Sequence, residues 1–152
     1  GFLTEETGVV KGSDPDHRFI VDPIDGTTNF MHAVPLFAIS VALERKGEIF
    51  AGVTYNPITD ELFHAEKGQG AFMNNKRMRV AQRKHLHEAM VTTNIPHIGD
   101  KNQLSHRNEL AVMQAKTMGV RALGSTALDL AYIAMGRFDG AFARAADQHH
   151  RA

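Results

Sequence analysis

The chain has 152 residues, which is enough for one domain with a sizeable core and too few for two complete domains. Basic and acidic side chains balance to a formal net charge of zero, so the composition speaks against nucleic acid or an anionic membrane as a partner. The absence of cysteine excludes disulfides and thiolate metal sites and is typical of a reducing compartment. No apolar run approaches the roughly 20 residues of a membrane span, and residues 1–12 do not resemble a signal peptide. We therefore expect a cytoplasmic protein with no membrane partner.

The first part of the chain has the pattern of a β-meander. Apolar runs rich in β-branched and aromatic residues alternate with glycine-containing breaks such as Arg45-Lys46-Gly47. Strands are predicted over residues 18–21, 36–44, 48–55, 61–66, 70–73, 78–81 and 90–93. Together they predict an antiparallel sheet with one covered face.

The last part of the chain alternates helix and strand. Helices are predicted over residues 102–117 and 125–135, and strands over 119–123 and 138–142. A pair of residues typical of a capping box, Thr126 and Asp129, marks the start of the second helix, and Gly136 marks its end. The fold class is therefore predicted to be α+β, an antiparallel meander followed by helix-strand-helix-strand.

The most informative segment is Asp22-Pro23-Ile24-Asp25-Gly26-Thr27-Thr28-Asn29-Phe30. It places two carboxylates three residues apart after an apolar strand, in a turn where Pro23 fixes its own φ and Gly26 can adopt a conformation that a side chain would forbid. A short helix is predicted to follow. Carboxylates suit Mg²⁺, and the free amides at the start of a helix suit a phosphate. The segment therefore indicates phosphoryl chemistry.

This segment resembles the first signature of the inositol monophosphatase family, the Mg²⁺-dependent, lithium-sensitive sugar-phosphate phosphatases. Two further segments resemble the family. Thr4-Glu5-Glu6-Thr7 lies at the family's spacing and is similar to its Gly-Glu-Glu-Ser segment, which supplies a metal carboxylate in relatives. Gly124-Ser125-Thr126-Ala127 resembles the segment that touches the sugar in relatives. The similarity extends from Phe2 to about Phe142. It implies a layered αβαβα sandwich, here incomplete, in a single partial domain spanning residues 1–152.

The resemblance also implies roles for individual residues. Glu5, Asp22 and the carbonyl of Ile24 would hold a first Mg²⁺, and Asp22 would bridge to a second ion bound by Asp25. The catalytic group would thus be Glu5, Asp22, Asp25 and Thr27, with Thr27 orienting the attacking water. Phosphate oxygens would be held by the amides of Gly26 and Thr27. The substrate-binding group would be completed by Thr28, Gly124, Ser125 and Thr126.

Simpler structural roles compete with some of these assignments. Thr28 is as well explained by capping the short helix as by contact with substrate. Asn29 is expected to satisfy the backbone of the turn. Asp129 is more typical of an acid in the first turn of a helix than of a catalytic group.

The two ends of the chain differ from the family pattern. The family places helices ahead of the glutamate segment, and it continues beyond Phe142 into a Trp-Asp motif whose aspartate completes the second metal site. Here His149 and His150 occupy those positions by count, and Ala143 replaces a glutamate that contacts the sugar in many relatives. Residues 143–152 are interpreted as a truncated or frame-shifted tail, with true divergence as the alternative. Missing layers are expected to bare apolar sheet surface.

The predicted function is Mg²⁺-dependent hydrolysis of a small phosphorylated polyol or sugar, most simply inositol 1-phosphate, by an activated water. Sister specificities are fructose 1,6-bisphosphate, 3′-phosphoadenosine phosphates and histidinol phosphate. The chain by itself is expected to be nearly inactive, and an intact family member is expected to form a homodimer. The alternative from another class is a non-catalytic remnant or binding protein, because some bacterial relatives associate with transcription machinery.

Overall fold

The structure, a computed structural model, describes residues 1–4, 8–96 and 99–143. Its elements in chain order are strands β1 (Phe2–Thr4), β2 (Gly8–Val10) and β3 (His17–Asp25), helix α1 (Thr27–Met31), strands β4 (Ala38–Arg45), β5 (Glu48–Asn56), β6 (Glu61–Glu66), β7 (Gly70–Met73) and β8 (Lys76–Arg77), a 3₁₀ turn (Leu86–Glu88), strand β9 (Met90–Thr93), helix α2 (Gln103–Lys116), strand β10 (Gly119–Arg121), helix α3 (Thr126–Ala134) and strand β11 (Gly140–Phe142). No helix in these ranges is long and apolar enough to cross a membrane.

Eight strands form one large sheet in the order β2-β1-β3-β4-β5-β6-β7-β8. From β3 to β8 each strand pairs antiparallel with the next, so the predicted meander is confirmed. The β4–β5 hairpin closes through Lys46 and Gly47, both at positive φ, which is the backbone twist that two-residue hairpins require. The sequence pattern missed β1 and β2, and β1 lies parallel to β3.

Helix α3 packs on one face of this sheet. Leu128 is fully buried, and the rings of Phe63 on β6 and Tyr132 on α3 meet at 5.9 Å. The guanidinium of Arg137 stacks over Tyr132 at 4.4 Å and pairs with Glu61, whose pKa it lowers. These contacts fix the end of α3 to the meander.

The opposite face of the large sheet is apolar and partly open to solvent. Neighbouring strands align side chains of the same face, as in the row Val21, Val41 and Val53. Phe19 on this face is 50% exposed, and Ile39 is 40% exposed. No helix of the described ranges has contacts that would cover it. The expectation of bared apolar sheet surface is therefore confirmed.

Strand β9 corrects the prediction for residues 90–93. These residues do form a strand, but it lies at the centre of a separate three-stranded sheet with the order β10-β9-β11 and not in the meander. Both neighbours are parallel to it. The strands are parallel because helices α2 and α3 carry the chain back across the sheet before β10 and β11 begin.

The strand predicted over residues 78–81 is also wrong. Pairing with β7 ends at Arg77, and only the amide of Met78 still donates to the carbonyl of Ala71. The chain then passes Gly136 so closely that a Cβ there would lie 3.0 Å from the Arg79 carbonyl oxygen. Packing against the end of α3 has replaced strand pairing.

His106 on α2 is 2% exposed, and neither of its ring nitrogens has a hydrogen-bond partner in the described part of the chain. Its ring stacks on Phe142 at 5.8 Å. Burying an imidazole without a partner is unfavourable, so His106→Leu is expected to raise the free energy of unfolding by about 1 kcal/mol. Urea unfolding measures this. His106→Gln keeps a polar group there and serves as the control; equal stability changes for the two variants would contradict the explanation.

Candidate active site

The two aspartates of the acidic segment lie at a β-bulge where β3 ends. Asp22 pairs with Ser40 and Asp25 with Ala38, so three steps along β3 match two along β4. In a regular strand, residues three apart point to opposite faces. The extra residue instead places Asp22 and Asp25 at positions that share one face, the face covered by α3. Pro23 fits here because a bulge tolerates a missing amide.

Asp25 is held by the start of helix α3, a hundred residues later. Its Oδ2 accepts a hydrogen bond from the hydroxyl of Ser125 and another from the amide of Ala127, at 2.8 Å. Ser125 has no exposed surface. The carboxylate therefore has a fixed orientation before any ligand arrives.

Ser125 also corrects the predicted capping box. It is the N-cap of α3, and its hydroxyl oxygen accepts from the amide of Leu128 at 3.3 Å. Thr126 lies one residue inside the helix and bonds to Asn94, while Asp129 bonds to Thr92. Ser125 and not Thr126 is the N-cap because the backbone of Ser125 is extended, as is typical of an N-cap residue, whereas Thr126 already belongs to the helix.

The turn after Asp25 is packed tightly against the loop before α3. Gly26 has φ of 95°, and a Cβ on it would lie 3.0 Å from the Leu36 carbonyl oxygen and 3.1 Å from that of Gly124. Asn29 donates from Nδ2 to the carbonyls of Leu36 and Leu123, at 2.6 and 2.7 Å. The side chain of Asn29 thus satisfies backbone groups as expected, but these belong to the loop after α1 and the loop before α3 and not to the turn itself.

The hydroxyl of Thr27 donates to the carbonyl oxygen of Ile24 at 3.0 Å. Its single proton is thus engaged, and its lone pairs can accept a hydrogen bond from a water. Helix α1 has no side-chain cap, and its N-cap is Gly26. Thr28 is exposed and does not cap the helix, so the capping alternative is wrong and the substrate contact stays a prediction.

The oxygen donors at the bulge fit a hard divalent cation. Two carboxylates and the Ile24 carbonyl lie within four consecutive residues, and a carbonyl that accepts one hydrogen bond keeps a second lone pair. The amide of Ile24 donates to Asp22 Oδ1 at 3.1 Å. Among residues 1–4, 8–96 and 99–143, no group of three or more histidine or acidic side chains is placed to hold a metal. Glu5, the third predicted carboxylate, lies outside these ranges, as do His149 and His150.

Asp129 lies in the first turn of α3, as predicted, but the sequence pattern did not reveal that it is buried. It is 4% exposed, and its Oδ1 accepts from the hydroxyl of Thr92, itself fully buried, at 2.6 Å. Burial raises its pKa to about 6; the Thr92 hydrogen bond opposes the rise, and the negative charge of Asp25 adds to it. Recognising residues 90–93 as a parallel strand would have indicated a buried partner, Thr92, for Asp129. The sequence pattern instead assigned these residues to the meander.

The chain is similar to proteins of one family along its length. The model of the inositol monophosphatase family matches residues 1–150. The inositol-1-monophosphatase of Mesorhizobium japonicum is 56% identical over 140 residues, which cover 92% of this chain and 53% of that protein. Nus factor SuhB of Escherichia coli is 39% identical over 140 residues, covering 92% and 52%. The crystal structure of extragenic suppressor protein suhB from Bartonella henselae aligns with a TM-score of 0.91 at 50% identity, over 95% of this chain and 56% of that one.

The fold is thus an incomplete form of the α+β sandwich seen in the Bartonella structure and in the inositol monophosphatase of Anabaena, which is 35% identical. The chain belongs to the inositol monophosphatase family. It spans about half the length of the curated relatives that it matches.

Proposed function

We propose that this chain carries the metal and phosphate site of a Mg²⁺-dependent phosphatase that acts on a small phosphorylated polyol or sugar, with inositol 1-phosphate as the substrate. The observation that supports it most is the β3 bulge, which places Asp22 and Asp25 on one face while Ser125 and the Ala127 amide orient Asp25. The name of the Mesorhizobium relative supports the choice of substrate.

The residues at the bulge have separate roles in binding metal and orienting water. Glu5, Asp22 and the carbonyl of Ile24 would hold one Mg²⁺, and Asp22 and Asp25 would hold a second. Bound Mg²⁺ would neutralise charge on the phosphate and lower the pKa of a water. Thr27 would orient that water by accepting a hydrogen bond from it, because its own hydroxyl proton is donated to the Ile24 carbonyl.

The phosphate and the rest of the substrate lie between the turn and the start of α3. The amides of Gly26 and Thr27 donate to phosphate oxygens, and Thr28, Gly124 and Thr126 contact the rest of the substrate. Ser125, which the resemblance also placed in the substrate-binding group, is fully buried, so it contributes by orienting Asp25. Catalysis rests on positioning and electrostatics, without a covalent intermediate.

A second candidate is a binding protein without catalysis. The similarity to Nus factor SuhB favours it, and so does the prediction that residues 143–152 lack the aspartate of the family's Trp-Asp motif. In that case the chain would keep its fold and a partner surface and would release no phosphate, with or without Mg²⁺.

The purified 152-residue chain is expected to bind Mg²⁺ weakly and, with Mg²⁺ present, to bind inositol 1-phosphate, while phosphate release stays near background. The physical reason is that His150, at the position of the family's last metal acid, is a poor ligand for Mg²⁺. Calorimetry and a phosphate-release assay, each with and without EDTA, measure this.

The calorimetric measurement of inositol 1-phosphate binding, with and without EDTA, distinguishes the two candidates. Binding of inositol 1-phosphate that EDTA does not affect would favour the binding protein over the phosphatase site. Robust Mg²⁺-dependent release would show that the missing motif is dispensable.

A further inference from the structure

Asn94 is the first residue after β9, at the carboxyl end of the central strand of the parallel sheet. Open sheets of parallel strands bind their ligands at this end. The loop that follows β10 and leads to α3 starts at the same end. Neither the sequence pattern nor any resemblance assigned a role to Asn94.

The side chain of Asn94 joins the first residue of helix α3. Its Nδ2 donates to Thr126 Oγ1 at 2.8 Å. Thr126 is exposed, and Asn94 is half-buried. Both neighbours of Thr126 hold the carboxylate of Asp25, Ser125 through its hydroxyl and Ala127 through its amide. The Asn94–Thr126 pair therefore lies next to the acidic turn and faces solvent.

The pair leaves one donor and one acceptor for a ligand. Because Thr126 Oγ1 accepts from Asn94, its own proton is available to donate, and the Asn94 Oδ1 is available to accept. In the described part of the chain, neither the Thr126 hydroxyl nor the Asn94 side-chain amide makes another hydrogen bond. An alcohol can use both the donor and the acceptor, whereas a carboxylate could use only the donor.

We propose that Asn94 and Thr126 together bind a hydroxyl group of the substrate's polyol ring while the phosphate lies at the turn of Asp22 and Asp25. This inference rests on the proposed function and adds the residue that selects a polyhydroxylated leaving group. Asn94 acts as a specificity residue: it contacts the ring and has no part in holding the metal or the phosphate.

The test is calorimetry on the 152-residue chain with Mg²⁺, using inositol 1-phosphate and methyl phosphate, which has no ring hydroxyls. Asn94→Ala is expected to weaken inositol 1-phosphate binding about fivefold to tenfold and to leave methyl phosphate binding within about twofold. Thr126→Val is expected to weaken inositol 1-phosphate binding to a similar degree, and Thr126→Ser to retain it. The double variant is expected to lose little more than either single one, because the two residues act as a unit.

Asn108→Ala is the matched control, since Asn108 is an exposed asparagine on α2 away from the acidic turn. Equal losses for both phosphates, or no loss for either, would overturn the role of Asn94 and leave the proposed function standing. A native chain that binds neither phosphate would overturn both. Circular dichroism of each variant shows that the fold is retained.

Discussion

Asp25→Asn is expected to weaken Mg²⁺ or Mn²⁺ binding to this chain by at least about tenfold, the largest effect of any single substitution at the bulge except that of Asp22→Asn. The asparagine can keep the local structure, because its Oδ1 can accept from Ser125 and Ala127 as Asp25 Oδ2 does now. Its amide group would then point where the second carboxylate oxygen was. A donor in place of an anion repels a cation, so binding is lost while folding is kept.

The same reasoning applies to Asp22, whose proposed bridging role makes its loss at least as severe. Titration calorimetry and Mn²⁺ paramagnetic relaxation measure both variants. Glu48→Gln is the matched control, because Glu48 is an exposed acid at the opposite end of the β4–β5 pair and bonds to Lys67. Asp25→Asn binding metal as tightly as Glu48→Gln would contradict the metal assignment.

Asp129→Asn is expected to raise the free energy of unfolding at pH 7.5 by about 1–2 kcal/mol, measured by urea unfolding with EDTA present. The folded-state pKa of Asp129 is raised from 3.8 to about 6. Between these values the folded chain holds more protons than the unfolded one, so stability falls as pH rises through this window and stays lower above it. Asparagine does not ionise, and its Oδ1 still accepts from Thr92.

The pH dependence separates this effect from a change in packing. At about pH 4 the gain is expected to disappear, because Asp129 is then protonated in the folded state. Asp129→Leu is the control: it also cannot ionise, but it leaves the buried Thr92 hydroxyl without its acceptor and is expected to be less stable than the asparagine variant. A gain for Asp129→Asn that is the same at pH 4 and pH 7.5 would argue against buried charge as the cause.

Local signals in the sequence predicted most of the large sheet. The β4–β5 and β6–β7 hairpins were correct because glycine-containing breaks between β-branched runs determine pairing between neighbours in the chain. The position of β9 was wrong because its partners, β10 and β11, come later and are separated from it by helices. A run of four apolar and hydroxyl residues does not reveal which strands it will pair with.

The sequence by itself determined the acidic turn. Pro23 fixes its own φ and Gly26 permits a φ of 95°, so the turn and the short helix were predicted from neighbouring residues alone. The bulge was not predicted, because it depends on the register with β4. Only the tertiary structure decided how that turn is used. Asp25 obtains its orientation from Ser125 and Ala127, about a hundred residues away, and Asp129 obtains its raised pKa from burial against β9. Contacts between distant segments depend on how the two sheets pack, and no local pattern records that packing.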